Sequence, residues 1–238
     1  MSGYKDKALE VSTDPEQRFE LALQLNKLDI AYELAEGIFP LLIYSPSHPA
    51  ESNIESKWKQ VGDAALSAWN LPLAEQAFKH AKDLGSLLLL YTSTGSRDGL
   101  HTLATLATEA HQNNIAFTAY FSLGELERCI DILLATNRFA EAVLFSRTYK
   151  PSLTAGLVER WKSELAKMGR EKIAKTIASP DGNLDLFPGW TDYLDVERAS
   201  EQNSGIAEGS HTSLPMAFSS YCSGGKVGWD EFERGADC

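Results

Sequence analysis

The sequence predicts an all-α fold, an α-solenoid of antiparallel helical hairpins with a TPR-like right-handed superhelical path and a disordered acidic tail. Three observations lead to this prediction. Apolar residues recur at helical spacing, a turn pattern repeats between the helices, and no segment alternates as a strand would. The pattern leaves one alternative open, an irregular helical domain whose leucines and alanines match by chance.

The first predicted helix has a clear start. Thr13-Asp14-Pro15-Glu16 places a capping side chain before a proline at the first helical position. The apolar positions that follow have helical spacing and give the helix a wide buried face: Phe19, Leu21, Ala22, Leu23, Leu25 and Leu28. A break at Asn26-Lys27 then leads into a second helix.

The same break recurs along the chain. The turn residue is Asn26, Trp69, Gly124 or Asn137. The residue two positions later is apolar: Leu28, Leu71, Leu126 or Phe139. The residue five positions later is small: Ala31, Ala74, Cys129 or Ala142. The residue eight positions later is again apolar: Leu34, Ala77, Ile132 or Phe145. A weaker copy starts at Gly95. Gly and Asn suit a left-handed helix end, and a small residue one turn later allows two antiparallel helices to approach closely.

One spacing in this series is too long. The five turn positions are separated by 43, 26, 29 and 13 residues, and the long interval contains GIFPLLIYSPSHPAESN, residues 37–53. Prolines 40, 46 and 49 prevent the preceding helix from continuing through it. We predict that residues 37–53 form an inserted surface loop. Deleting residues 37–52 is expected to leave the helical fold intact or more stable.

These patterns divide the chain into regions. Residues 1–13 are a lead-in, residues 14–178 the solenoid, and residues 179–238 an irregular, largely disordered tail. The break falls at IASPDG, residues 177–182, which is rich in helix breakers. The formal charge of −11 lies mostly in the tail, because residues 181–238 carry 11 acidic and 3 basic side chains.

The residue inventory contains no catalytic constellation. Five histidines form no metal-binding spacing and are expected on solvated helix faces: His48, His80, His101, His111 and His211. Cys129, Cys222 and Cys238 are too scattered for a zinc site or a disulfide framework, and Cys129 falls on an apolar helical face. Phosphate-binding and nucleophile-elbow motifs are lacking. We therefore expect no enzyme, no cofactor, no metal and no small-molecule ligand.

Charge and hydropathy exclude further classes. No basic stripe that could neutralise phosphates is present, so nucleic-acid binding is not expected. The N-terminus has no apolar signal core, and no run approaches the roughly 20 apolar residues of a membrane span. With few cysteines, the sequence favours a reducing, cytosolic setting. Binding of another protein along an exposed helical face is the function that remains. No single partner-binding residue can be named, and Trp58, Trp69 and Trp161 are expected in the core.

Four stretches resemble a known family. They are KALEVSTDPEQRFELALQLNKLDIAYELA (7–35), ESKWKQVGDAALSAWNLPLAEQAFKHAKDLGSLLLLYTSTG (55–95), NNIAFTAYFSLGELERCIDILLATNRFAEAVLFSRTYKPS (113–152) and NLDLFPGW (183–190). Together they are similar to the C-terminal α-solenoid region of the beta-prime subunits of coatomer, the COPI vesicle coat. The resemblance implies a structural scaffold that pairs with the alpha-coatomer solenoid, and that joins other coatomer subunits in retrograde Golgi-to-ER and intra-Golgi transport.

The resemblance also sets limits. It implies a cytoplasmic protein that reaches the Golgi membrane and COPI-coated vesicles only as a peripheral part of the assembled coat. The two WD-repeat propellers of the family, which recognise dilysine tails, have no counterpart in this sequence, so the resemblance implies either a fragment or truncated gene product, or a short isoform. Residues 37–53 and the tail after Trp190 show no defensible match. The alternative function is a free-standing helical-repeat adaptor that binds short peptides.

Overall fold

The computed structural model describes residues 2–38 and 52–204, and every regular element in these ranges is helical. The helices are α1 (Ser2–Val11), α2 (Pro15–Gln24), α3 (Leu28–Glu33), α4 (Ser52–Ser67), α5 (Leu71–His80), α6 (Leu84–Thr94), α7 (Arg97–Glu109), α8 (Asn113–Leu123), α9 (Leu126–Ala135), α10 (Phe139–Tyr149), α11 (Pro151–Lys167), α12 (Glu171–Ala174) and α13 (Trp190–Ser204). A π-helical turn, Leu34–Ile38, continues α3, and a 3-10 turn, Leu184–Leu186, lies before α13.

The repeated turns are left-handed, as their sequence predicts. Asn26, Trp69 and Asn137 have φ of 55°, 58° and 59°, and Gly95 and Gly124 have φ of 67° and 82°. At Asn26, Trp69, Gly124 and Asn137 the backbone closes the helix with the paired hydrogen bonds of a Schellman motif. At the first turn Asn26 N–H donates to the Leu23 carbonyl and Lys27 N–H donates to the Ala22 carbonyl. The prediction of an all-α, TPR-like solenoid built from helical hairpins is confirmed.

Three further turns have the same geometry and do not stand out in the sequence. Lys82, His111 and Gly169 are also left-handed, with φ of 53°, 56° and 72°. With Lys82 included, the turns at Trp69, Lys82 and Gly95 follow one another every 13 residues, so one helix and its turn is the unit of the repeat. Lysine is uncommon in this conformation, so Lys82 gives no signal, and histidine, although enriched there, is less diagnostic than glycine or asparagine.

At three of these turns the residue after the turn residue caps the next helix with its side chain. Asn70 accepts a hydrogen bond from Leu73 N–H, Asp83 from Ser86 N–H and Ser96 from Gly99 N–H. Asp14 caps α2 before Pro15, as predicted. Because the same two residues end one helix and begin the next, the helices are joined by turns too short to let them separate, and they pack as antiparallel hairpins.

The small residues five positions after the turns are fully buried. Ala31, Ala74, Cys129 and Ala142 each have 0% exposure. A side chain of this size lets the backbones of paired helices come together. The close approach is most evident at Gly62 of α4, where an added Cβ would lie 2.5 Å from Cε1 of Phe78 in α5.

The described residues fall into two compact units, divided between Ala119 and Tyr120. The first unit has a core formed by helices α1 to α5: Leu9, Phe19, Ala22, Ala31, Leu34, Ala35, Trp58, Val61, Ala77 and Ala81. The predicted lead-in therefore contributes a helix, α1, whose Leu9 is buried in this core. In the second unit the buried residues line α9, α10 and α11: Cys129, Ile130, Ile132, Leu133, Phe139, Ala142, Val143, Val158 and Leu165.

The structure corrects one feature of the predicted tail. Residues 190–204 form helix α13, although irregular structure was predicted from residue 179 onward. The breaker cluster is where it was expected, with turns at residues 179–182. After it, Trp190 is buried and fixes the start of α13 against the second unit. Residues 205–238 of the tail and residues 39–51 of the predicted loop lie outside the described residues, and the predictions for them stay predictions.

Candidate partner-binding surface

Within residues 2–38 and 52–204 no three His, Cys, Asp or Glu side chains converge in a way that could hold a metal ion. The histidines in these ranges are placed differently from one another. His80 stacks on Trp58 with ring centroids 4.4 Å apart, whereas His101 and His111 are exposed. His48 and His211 lie outside the described residues. Cys129 is fully buried, and desolvation raises the pKa of its thiol to about 12, so it is a packing residue.

The three tryptophans expected in the core occupy three different environments. Trp58 is buried between Tyr32, edge-on at 5.0 Å, and the stacked His80, as predicted. Trp161 is half-buried. Trp69 is 85% exposed, so the prediction that it is a core residue is wrong. It occupies the left-handed position between α4 and α5, and a residue in that position points away from both helices.

Trp69 combines two unfavourable features. A left-handed backbone costs an L-residue other than glycine or asparagine about 1–2 kcal/mol, and an exposed indole leaves a large apolar surface in water. Neither feature contributes to folding. Tryptophan is also the residue type most enriched among the few side chains that carry the affinity of protein interfaces. Trp69 is therefore the best candidate contact residue in the first unit.

Other exposed apolar side chains are distributed along each unit. In the first unit they are Tyr4, Val11, Leu89 and Leu106. In the second unit they are Leu144, Tyr149, Leu153, Met168, Ile173, Leu184, Leu186, Tyr193 and Val196. Single exposed apolar residues are ordinary on a protein surface, and only their clustering with aromatic anchors marks a contact site.

The second unit contains a cleft of about 560 Å³ between the start of α9, the end of α10 and helix α13. Lys150 Nζ lies in its wall, 3.6 Å from carboxylate oxygens of both Glu127 and Glu197. Glu197 of α13 also accepts hydrogen bonds from Ser152 N–H at 2.8 Å and from the Ser152 hydroxyl at 2.6 Å. This carboxylate therefore ties α13 to the first turn of α11.

The motif NLDLFPGW brings the chain back to the second unit before α13 begins. Phe187 lies under the Arg147 guanidinium of α10, 5.3 Å from ring centroid to Cζ, and meets Trp190 edge-on at 5.6 Å. Trp190 is buried. Sequence analysis identified this motif but not its packing role, and it did not predict α13. The available signal was Trp190, Leu194 and Glu197, spaced four and three residues apart on one helix face.

No helix among the described residues has the length and apolar content that a membrane crossing requires.

Comparison with known proteins identifies the repeats. Residues 1–162 match the COPA/B TPR domain family. The chain is 42% identical over 207 residues to coatomer subunit beta'-2 of Arabidopsis thaliana, a match that covers 87% of this chain and 21% of the relative. It is 41% identical over 196 residues to coatomer subunit beta'-1 of Oryza sativa subsp. japonica, covering 82% of this chain and 20% of the relative. To coatomer subunit beta' of Rattus norvegicus it is 41% identical over 195 residues, with shares of 82% and 20%.

These matches show how much of the relatives the chain covers and how far the similarity extends along it. The chain spans about a fifth of the length of the relatives it matches. A match of 207 residues in a chain of 238 also extends past Trp190 wherever it starts, so α13 lies inside the similarity and the expectation of no match after Trp190 is wrong. With a family match over residues 1–162 and left-handed turns, buried small residues and helical hairpins in the same region, the chain belongs to the COPA/B TPR domain family.

Proposed function

We propose that this chain is a structural, non-enzymatic element of the COPI coat. In this role its helical repeats pair with the solenoid of the alpha-coatomer subunit in retrograde Golgi-to-ER and intra-Golgi transport. The observation that carries the proposal is the match of residues 1–162 to the COPA/B TPR domain family, together with about 40% identity to coatomer beta' subunits. The chain acts in the cytoplasm and reaches the Golgi membrane and COPI vesicles through contacts with other coatomer subunits.

The fold is suited to this work. Helical hairpins bury one side of each helix against the neighbouring helix and leave the other side and the turns available to a second protein. A stable pairing of two solenoids requires a mixed apolar and polar interface of at least about 1,000 Å². An interface of that size is carried by a few large, rigid side chains near its centre.

Trp69 is the anchor that we assign to this pairing in the first unit. It is 85% exposed and held in a left-handed turn, where glycine or asparagine would be more stable. An indole in this position meets a partner with most of its surface and loses little conformational entropy on binding, because the short turn already fixes its backbone.

The test is binding to the alpha-coatomer solenoid. The full chain and its Trp69→Gly variant are titrated against purified alpha-coatomer solenoid, and binding is measured by interferometry and by co-elution. We expect a complex at micromolar concentration or below. Trp69→Gly should raise Kd by at least about tenfold, because truncated anchor residues cost about 2 kcal/mol or more.

His111→Gly is the matched control, because His111 is an exposed non-glycine residue in the same left-handed geometry. It should leave Kd unchanged. A folded chain that shows no complex at micromolar concentrations would overturn the proposed pairing. A complex that tolerates Trp69→Gly would retain the pairing and remove Trp69 from its interface.

A further inference from the structure

One carboxylate, that of Glu197, links α13 to the start of α11. Glu197 has a side chain only 8% exposed and is contacted by three donor groups: Ser152 N–H and the Ser152 hydroxyl, which hydrogen-bond to it, and the Lys150 ammonium, which forms an ion pair with it at 3.6 Å. The remaining surface of α13 is mostly exposed, with Tyr193 at 48% and Val196 at 59%. Removing Glu197 from its donors would therefore take away the charged contact of α13, whose other described packing includes the buried Trp190 and the half-buried Leu194.

The three donors form an anion site at the start of a helix. Ser152 is the second residue of α11, a 17-residue helix that begins at Pro151, so its N–H is one of the unpaired donors at the positive end of the helix dipole. Lys150 adds a full positive charge and is itself largely buried, with a side chain 17% exposed. The carboxylate of Glu197 occupies this site in the present structure.

Ser152 is both a donor in this site and an exposed residue with a nucleophilic hydroxyl. From this geometry we propose that Ser152 is a phosphorylation site whose modification releases α13. A protein kinase using ATP transfers the phosphoryl group. The Ser152 Oγ–P bond forms, the bond from the γ-phosphorus to the ADP oxygen breaks, and the hydroxyl proton passes to the kinase base.

The phosphate competes with Glu197 for the same donors. Modification removes the Ser152 hydroxyl hydrogen, so the 2.6 Å hydrogen bond to Glu197 is lost. The phosphate carries about −1.5 to −2 charge at pH 7, lies at a helix N-terminus that favours anions, and is within reach of Lys150. The Glu197 carboxylate is then repelled by the phosphate and has lost its donors, so α13 detaches from α11.

The charged residues around Glu197 also favour the release of α13. Glu125, Glu127 and Asp131 line the cleft beside Glu197, against the two cations Arg128 and Lys150. A phosphate on Ser152, whose hydroxyl lies 2.6 Å from Glu197 Oε1, adds negative charge beside this mainly acidic cleft and increases the repulsion on Glu197. Helix α11 keeps its own first turn because a phosphate near its start is a stabilising cap. Phe187 and Trp190 keep the preceding motif docked, so release begins at α13.

The first experiment tests whether a phosphate on Ser152 releases α13, independently of whether cells add that phosphate. Phosphoserine is installed at position 152 of the full chain during expression, and hydrogen exchange is followed in peptides from residues 191–204 and 153–167. We expect exchange in residues 191–204 to become at least about tenfold faster, while residues 153–167 keep their protection. Phosphoserine at Ser67, an exposed residue of the first unit, is the charge-matched control and should leave α13 unchanged.

Glu197→Lys in the phosphorylated chain is the decisive variant. A lysine at this position pairs with the phosphate, so it should restore slow exchange in residues 191–204. Unchanged exchange after phosphorylation, or release that Glu197→Lys does not reverse, would overturn the switch. The modification is tested by phosphopeptide mapping of the chain expressed in eukaryotic cells with phosphatase inhibitors. Phosphate on Ser152 supports the site, and its absence there overturns it.

Discussion

Tyr91 and Glu75 link two antiparallel helices of the first unit. The Tyr91 phenol of α6 donates a hydrogen bond to Glu75 Oε1 of α5 at 2.8 Å, and Lys79 Nζ lies 2.7 Å from the same oxygen. The pair joins the two helices of a hairpin whose turn, at Lys82, the sequence did not reveal. Its geometry makes the stability of this hairpin dependent on pH.

The loss of hairpin stability at acidic pH follows from Glu75. Hydrogen bonds from Lys79 first and Tyr91 second hold the pKa of Glu75 below its ordinary value. A lowered folded-state pKa contributes stability that is present above the unfolded pKa, near ~4.3, and is lost as pH falls through the folded value. Denaturant unfolding of the chain and of Glu75→Gln should differ most near pH 7 and converge at strongly acidic pH. A difference that grows on acidification would contradict this assignment.

The alkaline limb follows from Tyr91. Desolvation first, and the hydrogen bond to Glu75 second, raise the pKa of Tyr91. A raised folded-state pKa contributes stability that is present below the unfolded pKa, near ~10, and is lost as pH rises through the folded value. Tyr91→Phe should be less stable than the wild-type chain at pH 7 and should show a flatter decline above pH ~10. Parallel declines in the two proteins would show that another group titrates there.

Gly62 permits the closest contact between α4 and α5. An alanine Cβ there would lie 2.5 Å from Cε1 and 2.7 Å from Cδ1 of Phe78, a ring that is fully buried. Gly62→Ala should therefore destabilise the chain by about 1–3 kcal/mol even though alanine is the better helix former. Thermal unfolding followed by circular dichroism measures this change.

Gly156 provides the matched control for that substitution. It lies inside α11, is exposed, and an added Cβ would meet nothing within 4 Å. Gly156→Ala should stabilise the chain by about 0.5–1 kcal/mol through helix propensity alone. Effects of the same sign at Gly62 and Gly156 would show that Phe78 moves aside and that the α4–α5 contact is looser than described.

Trp69→Gly should raise stability even as it weakens partner binding. The substitution relieves a left-handed backbone that costs a bulky residue about 1–2 kcal/mol, and an indole that is 85% exposed loses little buried area. We expect a gain in unfolding free energy of roughly 1 kcal/mol. Part of this gain is offset because glycine raises the conformational entropy of the unfolded chain. A clear loss of stability would show that Trp69 contributes to the core of the folded chain.

Cys129 should be unreactive in the folded chain. It is fully buried, and desolvation, followed by the nearby Glu125 charge, raises its pKa to about 12, so almost no thiolate is present at pH 8. In a Cys222→Ser, Cys238→Ser background, a thiol reagent should label Cys129 only as fast as the chain unfolds, and denaturant should make labelling rapid. Prompt labelling under native conditions would place this thiol at the surface.

The sequence predicted the turns best where a residue's own chemistry determines the backbone. Asn26, Gly95, Gly124 and Asn137 tolerate positive φ, and all four are left-handed. Lys82 and His111 adopt the same conformation because the flanking helices require a turn there, and neither residue type marks such a turn as glycine and asparagine do. Their positions could have been found only from the 13-residue interval, once the neighbouring turns were known.

The candidate contact residues were less predictable than the fold. Trp58 and Trp69 lie eleven residues apart on similar-looking sequence, yet one is 4% and the other 85% exposed. Trp58 packs against Tyr32 and His80, which come from other helices, whereas Trp69 lies in an exposed turn. The role of Glu197 could not be predicted from sequence either, because its partners Lys150 and Ser152 are 45 or more residues away along the chain.

The sequence by itself determined the helical class, the caps, most of the turns and the small residues that bring helices together, because each of these depends on groups within a few positions along the chain. The tertiary structure decided which large side chains are buried, which remain on the surface, and that residues 190–204 fold back as α13. Burial depends on what packs opposite a residue, and opposite residues come from distant parts of the chain.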